Sequence, residues 1–163
     1  RTVRDTIGNL PEPPQNGTDH PEFSLHRRDH LSERNLQRIR AIKEGQGRDD
    51  LPKELLADCH KIDSSVIGFR SVYGRMVWDD VAPTITARFD SFTRGKFGHP
   101  TQDRSISLRE GALLQTFPID FEFIGNKVDI ARQIGNAVPP IMAEQIGKSI
   151  IECYEKAGKD NAI

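Results

Sequence analysis

The chain of 163 residues has few of the features that mark secreted or membrane proteins. Its two cysteines, Cys59 and Cys153, are too few for a disulfide framework and indicate a reducing, cytoplasmic compartment. Its apolar runs are short, so we expect no membrane span and no membrane partner. No apolar core follows the charged residues at positions 1–5, so no signal peptide is predicted.

A strong net charge is also missing. Lys and Arg number 23 against 24 Asp and Glu, which gives a formal net charge of −1. Overall charge therefore does not predict a nucleic-acid partner. The arginine-rich run over residues 27–48 is more typical of a solvated helix face than of a binding patch.

The sequence has no recognisable metal or thiol site. His26 and His30 are four residues apart and Cys59 precedes His60, but no Cys-x-x-Cys pair or four-ligand pattern is present. We therefore predict no metal. Neighbouring residues of a helix point in different directions, which makes Cys59 and His60 a poor catalytic dyad.

What the sequence does contain is a series of helix start and stop signals. Predicted helices are a short one between Thr2 and Gly8, one that Ser32 opens and Gly45-Gln-Gly47 ends, a short one over residues 52–59, one over residues 107–117, one over residues 127–134, and a long one from Pro139 to Gly158.

Between residues 66 and 88 the pattern changes to β-branched and aromatic residues. Residues 71–78 and 83–88 predict two strands, joined by a turn at Asp79-Asp80. We therefore predict an α+β fold: a small mixed domain with short strands and helices, followed by a C-terminal helical tail. The predicted division places the mixed domain at residues 1–124 and the tail at residues 125–163.

Residues 104–118 read Arg-Ser-Ile-Ser-Leu-Arg-Glu-Gly-Ala-Leu-Leu-Gln-Thr-Phe-Pro, the pattern of a capped helix. Ser107 at the N-cap and Glu110 three residues later form a capping box. Leu108, Ala112 and the two leucines after it give an apolar face. By itself this pattern indicates an ordinary amphipathic helix.

Residues 133–140 read Gln-Ile-Gly-Asn-Ala-Val-Pro-Pro. Gly135 and Asn136 can adopt left-handed backbone angles, and the two prolines can open a helix. Two interpretations stay open. The turn could offer backbone N–H groups and an amide to a small acceptor, or it could be a tight helix–helix connection.

Basic and hydroxyl side chains are concentrated between residues 75 and 99, with glycines among them. Such loops suit close approach to a phosphate backbone, with arginines available for guanine edges. A solvated hairpin is the alternative.

Together these segments resemble the C-terminal part of a DNA cytosine-5 methyltransferase. Residues 104–118 resemble motif IX of that family, and residues 133–140 resemble motif X at the family's usual distance behind it. Residues 83–88 resemble the Thr-plus-aliphatic element of the target recognition region, and residues 2–11 resemble the segment that leads into it.

The resemblance implies a role for each matching position. Asn136, Ala137 and Val138 would close over the methionine end of S-adenosylmethionine, completing a pocket that this chain does not form alone. The implied DNA-contacting residues, with Thr84 at the phosphate beside a flipped cytosine, are Thr84, Ile85, Thr86, Arg88, Arg75, Lys96 and His99. Arg104, Arg109 and Glu110 would be structural.

The family's Pro-Cys pair, Glu-Asn-Val element and glycine-rich cofactor loop are absent from this chain. In the family they belong to the N-terminal half, so we expect no catalytic residue here and no methyl transfer by this chain alone. The chain begins with Arg1 in place of Met, which favours a domain cut from a larger enzyme over the smaller subunit of a split one. The expected partners are duplex DNA and the N-terminal catalytic half.

Two other functions remain open: a non-enzymatic DNA-binding or regulatory module, and a plain interaction domain. The helical pattern predicts that Ile146, Ile150, Ile151 and Tyr154 face inward. In the family this helix packs on the absent half, which would leave the face exposed here and available for dimerisation.

Overall fold

The structure is a computed structural model that describes residues 1–58 and 72–160. Its α-helices are α1 (Val3–Ile7), α2 (Glu33–Arg40), α3 (Leu108–Leu114), α4 (Lys127–Asn136) and α5 (Pro140–Asp160). Short 3-10 helices lie at Arg48–Asp50, Lys53–Leu55 and Phe92–Arg94. None of the helices in these two ranges is long and apolar enough to cross a membrane.

The helix starts predicted at Thr2, Ser32 and Ser107 are confirmed. Each hydroxyl group accepts a hydrogen bond from the backbone N–H group three residues further on. Thr2 and Ser107 also have complete capping boxes. These contacts satisfy N–H groups that have no partner inside the helix, which is why so local a signal is reliable.

The helix ends differ more from the prediction. α2 ends at Arg40, before the glycines, and Gly45 instead supplies a turn with a φ of 76°. The helix predicted over residues 52–59 is reduced to the 3-10 turn Lys53–Leu55, and Cys59 lies outside the described residues. α5 continues through Gly158 to Asp160.

The two predicted strands are wrong for the residues that the structure describes, and Ser71 lies outside them. Arg75 forms a single bridge with Gly98, and Gly98 forms another with Ser105. The N–H group of Arg75 bonds to Gln46, whereas that of Met76 bonds to Gly98. Since neighbouring residues pair with different segments, no ladder develops. The α+β fold class stays a prediction.

The larger apolar cluster lies between α1, α3 and α4. Phe89 is fully buried in it, and its ring lies 2.1 Å from where a Cβ on Gly111 would be. Glycine at this position of α3 therefore lets the helix backbone contact the ring directly. The buried members are Val3, Ile7, Met76, Ile85, Phe89, Phe97, Ile106, Leu108, Ala112, Ile130, Ala131 and Ile134.

A second cluster forms under α2 from Ile39, Ile42, Leu51, Val72, Tyr73 and Phe92. The guanidinium of Arg38 lies 4.6 Å from the centre of the Tyr73 ring, and its Nε donates to the carbonyl of Leu55. These contacts fix α2 beside the segment that carries the predicted DNA-contacting residues.

An ion pair between Arg104 and Glu110 is buried at the start of α3. Nη1 and Nη2 of Arg104 each lie 2.7 Å from one carboxylate oxygen of Glu110, and both side chains are 1% exposed. The backbone N–H of Ser107 donates to the same carboxylate at 2.6 Å. Burial favours a raised pKa for Glu110, but the hydrogen bonds and positive charge of Arg104 outweigh it and lower the pKa below its ordinary value.

The cap of α3 also anchors the N-terminal loop. Nδ1 of the fully buried His26 lies 2.8 Å from Oγ of Ser107, and its Nε2 lies 2.8 Å from the carbonyl oxygen of Pro11. Because that carbonyl can only accept, Nε2 carries a proton and Nδ1 accepts from the serine hydroxyl. Burial lowers the pKa of His26, which favours this neutral form.

Beyond its first turn, α5 extends away from the rest of the fold. The backbone N–H of Ile141 donates to Thr116 at 3.2 Å, which ties the start of the helix to the end of α3. Further on, Ile150 is 64% and Tyr154 is 81% exposed, and a Cβ on Gly147 would meet no atom within 4 Å. The inward packing predicted for Ile146, Ile150, Ile151 and Tyr154 is therefore wrong for this chain on its own.

Replacing Glu110 by Gln tests the buried pair. The variant leaves the guanidinium of Arg104 buried without a countercharge, so we expect a loss of about 3–5 kcal/mol in the free energy of unfolding. Urea denaturation followed by circular dichroism measures it. Glu144→Gln is the matched control: it breaks an exposed i,i+4 pair with Lys148 and should change stability little. Equal effects of the two substitutions would contradict the importance given to Arg104–Glu110.

Candidate nucleic-acid interface

Two segments predicted to carry function, residues 83–88 and residues 133–140, meet at α4. Gly135, in the last turn of this helix, lies against the backbone of Thr86 and Ala87. A Cβ on Gly135 would lie 2.2 Å from the carbonyl carbon of Thr86 and 2.4 Å from the nitrogen of Ala87. No side chain fits at these distances, so only glycine allows the approach.

This contact corrects the sequence interpretation of Gly135 and Asn136. Both residues belong to α4, and neither has a positive φ. The glycine is required by the close approach to another backbone and not by a left-handed turn. Of the two interpretations, the helix–helix connection fits the backbone, since α4 ends at Asn136 and α5 begins at Pro140.

Asn136, Ala137 and Val138 lie at this connection. Asn136 and Val138 are exposed, and the N–H of Ala137 bonds to the carbonyl of Ile134. The side chain of Gln115 donates to the same carbonyl at 3.1 Å, so α3 steadies this edge. An exposed amide beside an exposed apolar side chain can form one wall of a pocket for S-adenosylmethionine without enclosing it. The cofactor role of these residues stays a prediction.

Residues 86–90, named the recognition segment here, are held at their other end by the first turn of α4. Nζ of Lys127 lies 2.7 Å from Asp29 and 3.5 Å from Asp90, whose side chain is only 3% exposed. The other carboxylate oxygen of Asp90 accepts a hydrogen bond from Nε of Arg88 at 3.1 Å. α4 thus supports residues 86–90 at both ends, through Gly135 and through Lys127.

A cleft of about 430 Å³ opens beside this segment. Its lining residues are Val72, Thr86, Ala87, Arg88 and Arg94. Arg94 is exposed, and its side chain has no hydrogen-bond or ion-pair partner in the described part of the chain. Thr86 is exposed and Arg88 half-exposed, so one hydroxyl group and two guanidinium groups are open to solvent in the cleft; Thr84 is exposed as well but does not line it. These side chains can all bind an anionic or hydrogen-bonding ligand.

The surroundings of Arg75 argue against its predicted contact with DNA. Arg75 is 4% exposed, and an arginine side chain has five N–H donors. Each of them is used within the chain: the acceptors are the carbonyls of Ile39, Ile42, His99 and Gln102 and the carboxylate of Asp103. Arg75 therefore belongs to the frame of the domain.

Burial and internal hydrogen bonds also argue against the predicted DNA contact of His99. His99 is 4% exposed, its ring contacts Trp78 edge-on, and its Nδ1 accepts hydrogen bonds from the N–H groups of Thr101 and Gln102. Burial, reinforced by the charge of Arg104, lowers the pKa of His99 to about 4. A neutral, enclosed ring of this kind positions a loop and is not available to a ligand.

Ile85 and Lys96 complete the predicted set. Ile85, predicted beside Thr84 among the DNA-contacting residues, is buried in the larger apolar cluster, and this core position argues against a contact with DNA. Lys96 is half-buried and donates to the carbonyl of Gly45 at 3.2 Å, which leaves its contact with DNA a prediction. Thr84 and Thr86 are exposed and Arg88 is half-exposed, and their contacts with DNA stay predictions.

The residues named as structural make contacts within the chain that support this assignment. Nε and Nη2 of Arg109 donate to the carbonyl and hydroxyl of Ser24, and its Nη1 donates to the carbonyl of Phe121. Arg104 and Glu110 form the buried pair described above. All three fix loops around α3.

Sequence reasoning missed Asp90 and Lys127, which position Arg88. The only sequence signal for Asp90 is a carboxylate two residues after an arginine, which is common in solvated loops. Among residues 1–58 and 72–160, no group of three or more His, Cys, Asp or Glu could hold a metal ion. Cys59 and His60 lie outside the described residues, and Cys153 is exposed on α5.

Comparisons with a family model and with known proteins point to the same family. Residues 1–152 match the family model described as C-5 cytosine-specific DNA methylase. Type II methylase M.HgiDII of Herpetosiphon aurantiacus is 47% identical over 154 residues, which cover 92% of this chain and 43% of the relative. DNA (cytosine-5)-methyltransferase 3 of Arabidopsis thaliana is 35% identical over 93% of this chain and 12% of its own length. The chain thus spans less than half of either relative.

A third relative is short itself. Type II methyltransferase M.AquIB of Picosynechococcus sp. is 34% identical over 128 residues, which cover 72% of this chain and 79% of the relative.

The pH dependence of stability tests the burial of His99. The unfolded chain takes up a proton at this residue below about pH 6.5, whereas the folded chain does so only below about pH 4. Stability should therefore fall as the pH is lowered from 6.5 to 4, by up to about 1.4 kcal/mol per pH unit. Urea denaturation at a series of pH values measures this slope. His99→Gln should make it shallower and exposed His30→Gln should not; a slope unchanged by His99→Gln would refute this account.

Two helical glycines provide a matched test of the contact at α4. Gly135→Ala puts a methyl group into the backbone of residues 86–87, so we expect a loss of about 1–3 kcal/mol. Gly147→Ala adds the same group where no atom lies within 4 Å, and should stabilise α5 by about 0.5–1 kcal/mol. Thermal and urea denaturation compare the two. A neutral or stabilising Gly135→Ala would mean that α4 and the recognition segment are not in contact.

Proposed function

The chain belongs to the family of C-5 cytosine-specific DNA methylases, and on that premise we propose that it is the DNA-recognition part of an S-adenosylmethionine-dependent DNA (cytosine-5)-methyltransferase. The whole enzyme methylates C5 of cytosine in duplex DNA. Within it, this chain selects the DNA sequence, supports base flipping and completes the cofactor pocket. Type II names among the relatives support a place in a restriction-modification system.

The contact between Gly135 and the backbone of Thr86 carries this proposal. It brings the exposed edge of Asn136 and Val138 close to the segment that carries the exposed Thr86 and the half-exposed Arg88. A cytosine that is methylated must leave the duplex and meet the methyl donor. A surface that contacts DNA and a wall of the cofactor pocket therefore need to be neighbours, and the contact at Gly135 supports this assignment for the two groups of residues.

The chemistry of methyl transfer is assigned to another part of the enzyme. Attack on cytosine C6 needs a thiolate that faces the flipped base. The chain has no Pro-Cys pair, and Cys153 lies exposed on α5, away from the cleft residues. The catalytic part is a further segment of the same protein or a separate subunit.

The exposed face of α5 supports the same division. Ile146, Ile150 and Cys153 line an apolar groove along this helix, which has no partner among the described residues beyond its first turn. We assign this face to contact with the catalytic part. A homodimer through α5 is the alternative occupant.

A non-enzymatic DNA-binding or regulatory module is the second candidate function. Such a module needs only the recognition surface and no catalytic cysteine motif. Reconstitution of activity separates the two functions.

The test mixes this chain with the N-terminal remainder of the 47% identical relative and measures transfer of labelled methyl groups from S-adenosylmethionine to duplex DNA. We expect no transfer by either part alone and transfer by the mixture. Ile150→Asp should abolish this gain by blocking docking, whereas the neighbouring exposed Glu152→Gln should not.

Methyl transfer by this chain alone would overturn the division of labour. A mixture that forms a complex and binds DNA but transfers no methyl group would favour the regulatory module. Size-exclusion chromatography of the chain alone measures dimerisation: a dimer that Ile150→Asp dissociates would assign the α5 face to a second copy.

A further inference from the structure

We propose that two arginines of the cleft divide the recognition of DNA: Arg88 reads a guanine edge in the major groove, and Arg94 holds a backbone phosphate. This inference rests on the proposed function and goes beyond it, since it separates the residue that selects sequence from the residue that supplies affinity. Arg94 has no role in the family resemblance.

The guanidinium of Arg88 is held in place from one side. Its Nε donates to Asp90 at 3.1 Å, whereas its two Nη groups have no partner among the described residues. Asp90 is itself fixed, because it is almost fully buried and lies 3.5 Å from Nζ of Lys127. A guanidinium oriented in this way presents two parallel donors, the arrangement that binds O6 and N7 of guanine.

The charge around Arg88 points to the same role. Its positive charge is balanced by Asp90, so Arg88 adds little to the long-range attraction of a phosphate backbone. What it retains is a direction for its hydrogen bonds. Hydrogen bonds with a fixed direction give base specificity, whereas uncompensated charge gives affinity that is independent of the DNA sequence.

Arg94 has the opposite properties. It is exposed at the end of the 3-10 helix Phe92–Arg94, and no carboxylate of residues 1–58 or 72–160 pairs with it. A long side chain with a free charge and no fixed orientation suits a phosphate, which accepts from many directions. Its position beside Arg88 in one cleft brings a phosphate contact next to a base contact.

A larger cavity among the described residues, of about 710 Å³, contrasts with this cleft in its charge. Its arginines are paired: Arg28 lies 3.1 Å from Glu12, and Arg40 lies 3.4 Å from Asp103. Because these carboxylates face the cavity, it attracts a polyanion less than the cleft does.

The test compares Arg88→Lys, Arg94→Ala and the control Arg132→Ala, an exposed arginine of α4 that pairs with Asp129. Each variant, alone and mixed with the catalytic part, is used to select from a pool of duplexes with a randomised centre, and the bound duplexes are sequenced. Binding to the selected duplex is then measured against salt concentration.

Arg88→Lys keeps the charge but cannot donate bidentately, so we expect the preference for guanine at one position to fall by about tenfold with an unchanged salt dependence. Arg94→Ala should weaken binding to all sequences and reduce the slope of log K against log salt by about 1, with the preference kept. Arg132→Ala should change neither quantity.

A second variant tests the positioning of Arg88. Asp90→Asn removes the carboxylate that orients the guanidinium while the arginine remains. We expect it to lower the guanine preference as Arg88→Lys does, without reducing the salt slope.

The outcomes separate this inference from the proposed function. If the unmodified protein binds no duplex and selects no sequence, the proposed function fails. If it selects a sequence that Arg88→Lys still selects equally well, or if Arg94→Ala changes the preference and leaves the salt slope unchanged, only the division between the two arginines fails.

Discussion

The burial of two opposite charges, Arg104 and Glu110, is the constraint on which the centre of this fold depends. Charges removed from water cost several kcal/mol each unless every polar atom finds a partner. Here the partners include the backbone N–H of Ser107, which is also the helix cap, and Ser107 in turn bonds to His26. One network therefore sets where α3 begins and how the N-terminal loop lies against it. The loops between residues 75 and 99, which carry the basic side chains, pack around this network.

Much of this arrangement could be read from the sequence where the determining contacts are local. The starts of α1, α2 and α3 depend on a hydroxyl group and an N–H group three residues apart, and the sequence shows both. Strands depend on distant partners. The β-branched residues at 83–88 have the composition of a strand, but Ile85 and Phe89 are pulled into the core and Thr86 begins a turn. Composition alone could not reveal this competition.

The candidate site was predictable as a set of segments and not as a set of side chains. Arg75, Arg88 and Arg94 look alike in the sequence, but one is enclosed by five acceptors, one is bound by a carboxylate, and one is free. The carbonyls that enclose Arg75 are remote in sequence, and Asp90, although only two residues from Arg88, is held by the remote Lys127. The exposed face of α5 is a similar case: its pattern correctly indicates an apolar surface, but cannot say which molecule covers it.

The support that α4 gives to residues 86–90 has a consequence for how such proteins diverge. At Gly135 the helix contacts backbone atoms of the recognition segment, and it makes no demand there on the outward-facing side chains of Thr86 and Arg88. Substitutions at those exposed positions, and at Arg94, leave this scaffold contact intact. The architecture therefore separates a steric requirement, glycine at one helix position, from side chains that this contact leaves unconstrained. Under the proposed function, substitutions of these surface side chains would change the DNA target without refolding the domain.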